Sequence, residues 1–453
     1  MSLRYFFSLL TKAAGLDILD INYEMSSEKM NIGGTVISAS FKRGILFRLV
    51  SFCWHMIRAL TNMLLIKTSH IPRHSIILWA LSKNEADSLG PICLTMNNRF
   101  LVDNSNGNAR HFNWFLAYLI SIPYLPLVII TLLKSRNYRR QSFQWAFDSY
   151  WMIYGLYASG RMWLRRLQPK AIVFSNQVHA YCRVLERGAK DESVTSVFLQ
   201  HASSPAGIPS FTHDYALLQG YHDLETASMS GGKGTKFFLV GVPKYDAYAS
   251  LVNNNKTICS ICICLNQLDN FDAVENLVNE VREAFPIMRV ILRAHHGDRR
   301  MHLWRKLAEK TGIGFSDAIT EPAYAFLKNV DVTIAGDSNI LLESAMMNVL
   351  PIYYDFPEKH LDWYGFERNG LVEYFCEPQA ICKYIGEIVG CKPFIRNKAK
   401  YYNATINTEY DGRSSELVKS VLEDIIVSGK EIDFGKWERI PDIQVEAYEV
   451  KEG

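Results

Sequence analysis

The chain lacks a dominant charge. Its 49 Lys and Arg against 46 Asp and Glu leave a net charge of +3, too little to predict nucleic acid as a partner. It also lacks internal repeats and low-complexity tracts. With 48% hydrophobic and 21% charged residues, it is neither disordered, collagenous nor a coiled coil. Its 453 residues predict two or three domains with full cores. The nine cysteines are odd in number and have no zinc-ligand spacing, so neither a disulfide framework nor a metal is expected. Three of them crowd into Cys259-Ser-Ile-Cys262-Ile-Cys264, which reads as a buried strand and fits a reducing cytosol. The opening Met-Ser-Leu-Arg-Tyr-Phe-Phe has no small-residue cleavage site and does not read as a signal peptide.

Two segments bear on membranes. Phe112 to Leu133 runs 22 residues without a formal charge and is followed by Lys134, Arg136, Arg139 and Arg140. The length suffices to span a bilayer, and the basic flank would place that end in the cytoplasm. Pro123 and Pro126 instead favour a kinked helix that is buried or dips into one leaflet. Lys42 to Lys67 carries Arg43, Arg48, His55 and Arg58 among Phe, Leu, Trp and Ile, the make-up of an interfacial amphipathic helix. The plain alternative is two core helices. Peripheral attachment to the cytoplasmic face of an inner membrane is the expectation.

Residues 1–70 read as a helical, membrane-proximal segment broken at Gly33-Gly34. A first domain over 71–250 begins with the strand Ser75–Leu81 and carries a hydrophobic helical insertion near 112–167. Strands and helices then alternate through Lys170–Ser175, Thr195–Gln200, Tyr215–Gln219 and Lys236–Val240. A linker is expected at 250–256, around Asn253-Asn254-Asn255. A second alternating unit fills 256–400, with strands at Thr257–Leu265, Met288–Arg293, Asp331–Ala335 and Leu350–Tyr354. A helix and a polar, loosely held tail over 401–453 complete the chain. Single helices between strands imply parallel sheets, and ligands of such sheets bind beyond the strands' carboxyl ends.

Four groups of residues follow predicted strands. Gln200-His201 offers an imidazole that can take a proton from a hydroxyl; the bland alternative is a turn histidine bonded to backbone. The run Arg293-Ala-His295-His296-Gly297-Asp298-Arg299-Arg300 offers forks and donors for phosphate, or is a solvated charged loop. Gly336-Asp337-Ser338-Asn339 joins a strand to a helix that carries Glu343. A tight turn, a cap and free backbone N–H groups suit an anion there, and Glu343 suits a ribose hydroxyl; an ordinary capped helix is the alternative. The group matches neither a GxGxxG fingerprint nor a P-loop. Asn176, after Phe174-Ser175, is a hydroxyl ligand or loop support, or simply an N-cap.

Taken together, Ile172-Val-Phe-Ser-Asn176, Val197-Phe-Leu-Gln-His201, Phe211–Gly220 and Gly241-Val-Pro243 resemble bacterial GT-B glycosyltransferase-like proteins of surface polysaccharide synthesis. The likeness is to the group of CDP-glycerol glycerophosphotransferases, polysialyltransferases and Kdo-transferases and covers roughly 170–360. That group's Gln-His-Gly turn falls on Gln200-His201, its His-Pro motif on His295 and its Ser turn on Gly336-Asp337-Ser338. Ala202 stands in place of the Gly and His296 in place of the Pro. The resemblance implies an α/β, GT-B-like fold with two Rossmann-like domains facing a cleft. It implies a metal-independent glycosyltransferase in which His201 is the base. Arg293, His295, Asp298 and the Gly336–Asn339 turn would hold the donor phosphate, Glu343 the ribose, and Gln200 and Asn176 the acceptor-side loop. The nucleotide-sugar is a substrate, with CMP-sugars such as Kdo or sialic acid first, and no resident cofactor is implied. The acceptor is a glycan or a lipid-linked chain. A CDP-activated polyol-phosphate transferase, a nucleotide-sugar epimerase and a non-catalytic export scaffold are the other readings.

Overall fold

The computed structural model describes residues 3–23, 44–65, 71–104, 111–135, 142–205, 207–231, 234–356, 358–426 and 447–449. Gly33-Gly34, Lys42, Arg43, Lys67, the basic flank at 136–140 and the tail at 427–446 lie outside them. The first domain opens with helices α1 (Leu3–Ala14), α2 (Ile18–Ile21) and α3 (Ile45–Leu65). It continues with β1 (Ile76–Ala80), α4 (Lys83–Thr95), β2 (Arg99–Asp103), α5 (Trp114–Ser121), α6 (Leu125–Lys134) and α7 (Phe147–Leu167). Next come β3 (Ala171–Phe174), α8 (Ala180–Asp191), β4 (Thr195–Leu199), β5 (Tyr215–Leu218), α9 (Tyr221–Ser230) and β6 (Lys236–Leu239). The second domain runs β7 (Ser260–Leu265), α10 (Phe271–Ala284), β8 (Arg289–Ala294), α11 (Met301–Thr311), β9 (Gly314–Asp317), α12 (Ala323–Leu327), β10 (Val332–Ala335), α13 (Ile340–Met346), β11 (Leu350–Tyr354), β12 (Glu373–Phe375) and α14 (Pro378–Ile388). Then α15 (Ser414–Ile426) returns to the first domain, and β13 (Ala447–Glu449) pairs antiparallel with β6.

The first sheet is ordered β13-β6-β5-β4-β3-β1-β2 and the second β12-β11-β10-β7-β8-β9. Apart from β13, every pairing is parallel. The strand order reverses between β1 and β3, and between β7 and β10. Those switch points open crevices at the carboxyl ends of the strands, which fixes where each domain keeps its site.

Both faces of the first sheet are covered. Ile77 and Trp79 of β1 pack with α5, α6 and α7, while Ile76, Leu78 and Ala80 pack against α4 and Leu417, Val418, Val421 and Leu422 of α15. Such strands lose the polar alternation of a one-sided sheet. The expected cysteine strand is β7, with Cys262 and Cys264 buried in the second core. All nine cysteines are free thiols. Asn253 is no loose linker residue. It is buried and donates to Val330 O (2.7 Å) and Asp331 Oδ1 (2.9 Å).

The uncharged stretch after Phe112 breaks into α5, a 3-10 turn at Ile122–Tyr124 and α6, as the prolines predicted. Its inner face is locked onto α7. Ser121 Oγ donates to Ala117 O (3.0 Å) and accepts from Gly155 N (3.1 Å), and Trp151 Nε1 donates to Ser121 O (2.7 Å). A Cβ at Gly155 would sit 1.8 Å from Ala117 O, so only glycine lets these backbones approach. Gly155→Val is expected to cost about 1–3 kcal/mol or more, because α5 and α7 must move apart to admit the side chain. The cost would be read as a lowered thermal midpoint; an unchanged midpoint would contradict this packing.

Candidate active site

In the first domain, Ser175 directly follows β3 and Gln200 directly follows β4. Ser175 Oγ donates to Leu199 O (2.7 Å) and ties the two strand ends together. The His201 imidazole Nδ1 lies on the Ser175 carbonyl in a short hydrogen bond. A carbonyl only accepts, so Nδ1 carries the proton and Nε2 keeps its lone pair. His201 is partly reached by solvent but hemmed in. Burial lowers its pKa below the usual 6.5, with nearby Glu85 acting upward and Lys244 downward. A neutral imidazole with a free Nε2 is a ready proton acceptor.

The turn around His201 is built from Gln200. Its Nε2 donates to Ala202 O (2.8 Å), Ser204 Oγ (3.2 Å) and Asp223 Oδ1 (2.5 Å), and its Oε1 accepts from Gln219 N (2.8 Å). Gln200 is therefore an internal support and is itself buried. Asn176 Oδ1 accepts from Val178 N (2.9 Å) and His179 N (2.8 Å), while its Nδ2 donates to Glu85 Oε1 (3.3 Å). Glu85 is buried, accepts from Leu81 N (2.8 Å) and Ser82 Oγ (3.1 Å), and spans the β1–β3 switch point. It was not foreseen, though Ser82-Lys-Asn-Glu85 directly after a strand is a capping-box signature.

In the second domain, the charged run after β8 separates into two roles. Asp298 is buried and saturated: Arg300 N (2.8 Å), Arg300 Nη2 (2.8 Å) and Trp304 Nε1 (3.0 Å) all donate to it. Burial acts upward on its pKa, but these bonds outweigh it and hold the carboxyl below the ordinary range. Arg293 is buried too, donating to Ser316 Oγ (2.5 Å) and Glu321 O (2.6 Å), with its guanidinium over the Phe326 ring. These two residues brace the loop walls, so the expected phosphate contacts are not what their side chains make. His295 and His296 remain open, with ring centroids 4.1 Å apart. His295 Nδ1 accepts from Gly297 N (3.1 Å), which puts the proton of the neutral ring on Nε2 as an outward donor. Crowding in the crevice, with His296 beside it, lowers its pKa to about 4. Burial likewise lowers that of His296, with Lys83 of the first domain also acting on it.

Gly336 follows β10 at the second switch point, and a Cβ there would lie 3.1 Å from Asp269 Oδ1. Asp269 is buried. Its Oδ2 accepts from Asn266 N (2.7 Å), its Oδ1 has no partner, and burial pushes its pKa up to about 7. Sequence reasoning missed it, because only the β7–β10 reversal brings it to Gly336. Asp337 accepts from Trp363 N and thereby pins the loop after β11; burial raises its pKa to about 6. Neither Ser338 nor Asn339 caps α13 with its side chain. Asn339 Oδ1 instead accepts from Ser203 N (3.3 Å), and Glu343 Oε1 from Lys244 Nζ (2.8 Å).

Those two contacts are among the several that tie the two parts together at this end of the sheets. They bring His201, Lys244, Ser338, Asn339 and Glu343 to one seam, with Lys83 and His296 facing across it. Lys244 was also missed, although it follows Gly241-Val-Pro243 directly. The arrangement sets an imidazole with an unprotonated Nε2 on one wall and hydrogen-bond donors on the other. Among the described residues no group of three or more His, Cys, Asp or Glu is placed to hold a metal ion. Selective imidazole NMR should find His201 as the neutral Nδ1–H tautomer at pH 7, titrating only below 6.5. An imidazolium at neutral pH would contradict this geometry.

No family model matches the chain, and no curated protein matches it. Solved structures do. A UDP-N-acetylglucosamine 2-epimerase superposes with TM-score 0.50 at 10% identity, over 80% of this chain and 99% of that one. The UDP-GlcNAc 2-epimerase from Neisseria meningitidis bound to UDP-GlcNAc gives TM-score 0.50 at 10% identity, over 77% and 100%. The wall teichoic acid polymerase TagF gives 0.48 at 11% identity, over 85% and 98%. Identities this low speak to fold alone. The chain has the GT-B architecture, two Rossmann-like domains with a crevice between them.

Proposed function

We propose that this chain is a GT-B glycosyltransferase that moves a sugar from a nucleotide-activated donor, a CMP-sugar first, to a surface polysaccharide or lipid-linked acceptor. The observation that carries the reading is the His201 imidazole, fixed by the Ser175 carbonyl with Nε2 unprotonated at the interdomain seam. The acceptor hydroxyl gives its proton to Nε2 as its oxygen bonds to the sugar's anomeric carbon. The bond from that carbon to the donor phosphate breaks, and the phosphate leaves with the electron pair. His295 Nε2–H and the Ser338 hydroxyl donate to that oxygen, and Lys83 and Lys244 supply positive charge near it. Preorganised donors aimed at developing charge lower the barrier without reorganising. Glu343, held at one oxygen by Lys244, keeps the other for a ribose hydroxyl. The CMP preference rests on the sequence resemblance.

A second reading, a nucleotide-sugar epimerase, is favoured by the two buried carboxyl groups at the switch points, Glu85 and Asp269. Nucleotide release or donor isomerisation without any acceptor would mark it.

His201→Ala is expected to lower kcat for transfer by about 10²–10⁴-fold while the nucleotide dissociation constant stays the same. The wild-type rate should be flat through neutral pH and fall as acid protonates His201, below 6.5. Full turnover in the variant would remove the base assignment.

A further inference from the structure

α3 presents an apolar stripe that nothing among the described residues covers. Leu46, Val50, Trp54, Ile57, Leu64 and Leu65 follow helical spacing along one face, and Leu46, Trp54 and Leu65 are 76%, 64% and 79% exposed. The opposite side fastens the helix to the domain. Phe52, its one buried residue, stacks on Trp151 with ring centroids 3.8 Å apart, and Arg48 pairs with Asp148 (3.5 Å). The stripe is therefore held outward by a fixed attachment. An exposed apolar face of this extent marks a docking surface.

Charge decides what docks there. Neither α1, α3 nor the stretch Trp114–Lys134 contains a single Asp or Glu, while they carry Arg4, Lys12, His55, Arg58 and Lys134 besides the inward-paired Arg48. Apolar side chains also stand exposed on the other two, Phe7 on α1 and Leu119, Ile130 and Leu133 on α5 and α6. A second copy of this chain would meet the same positive charge. An anionic lipid surface complements both the apolar side chains and their basic setting.

The stretch Trp114–Lys134 is long and apolar enough to cross a bilayer, but its inner face is bonded into the protein. Val128 and Leu132 are fully buried, and Tyr124 OH donates to Leu10 O (2.8 Å). A crossing would have to break these contacts.

We propose that the first domain docks on one leaflet of an anionic membrane, with α3 lying in the plane of the headgroups and the stretch Trp114–Lys134 resting against the surface without crossing. This stands apart from the enzymatic reading, since it uses no residue of the seam.

The test is flotation of the full-length protein with vesicles of phosphatidylcholine alone or mixed with phosphatidylglycerol. Binding is expected only to the mixed vesicles and should weaken as salt rises. Val50→Glu combined with Trp54→Glu should weaken it by about tenfold or more with the thermal midpoint kept. Ile287→Glu, at a 98% exposed site on the other domain, should bind as wild type. Quenching that disappears in Trp54→Phe should come from shallow rather than deep nitroxide lipids. Absence of binding, equal loss in the Ile287 variant, or quenching by deep lipids alone would overturn the proposal. So would a stripe variant that abolishes only self-association, since a second copy would then be the occupant.

Discussion

The structure depends on parallel strand pairing. Parallel pairing forces every connection to cross over the sheet, so all the loops that carry chemistry leave from the strands' carboxyl ends. In each domain the strand order reverses once, and neighbouring loops part there. Glu85 and Asn176 bridge the first reversal, and Asp269 and Gly336 face each other at the second. The Ser203–Asn339 and Lys244–Glu343 contacts set these two edges against one another. They stand beside other ties between the domains, such as Ala404 N to Gln219 O (2.9 Å) and Tyr401 OH to Glu225 Oε2 (2.6 Å).

The alternating rhythm was readable because fully buried strands such as β1, β3 and β7 are short, continuous apolar runs. The strands left unread, β2, β9, β12 and β13, are the sheets' edge strands, with mixed sequences such as Arg-Phe-Leu-Val-Asp and Gly-Phe-Ser-Asp. One covered side leaves too weak a pattern to separate them from loops. α4 was hidden as well, because Gly90-Pro91 inside it reads as a breaker.

The placing of candidate residues was legible where a lone polar residue follows a strand, as at His201 and Ser338. It was misleading where charges cluster. Arg293, Asp298 and Arg300 stand close in sequence, yet most of their donors and acceptors are spent on Ser316, Glu321, Trp304 and each other. A sequence shows that charges are near, not that they are already paired. Lys244, Glu85 and Asp269 fail in the opposite sense. Each lies in an ordinary turn or cap and gains its position only when strands far apart in sequence become neighbours.

The central claim is that the seam receives a nucleotide-activated donor. The most direct measurement is the thermal midpoint of the full-length protein against a panel of CMP, CDP, UDP and GDP, because a ligand bound only by the folded state raises it with occupancy. The account predicts a rise with CMP that is lost when Ser338 and Glu343 are replaced. A midpoint that no nucleotide moves would contradict it.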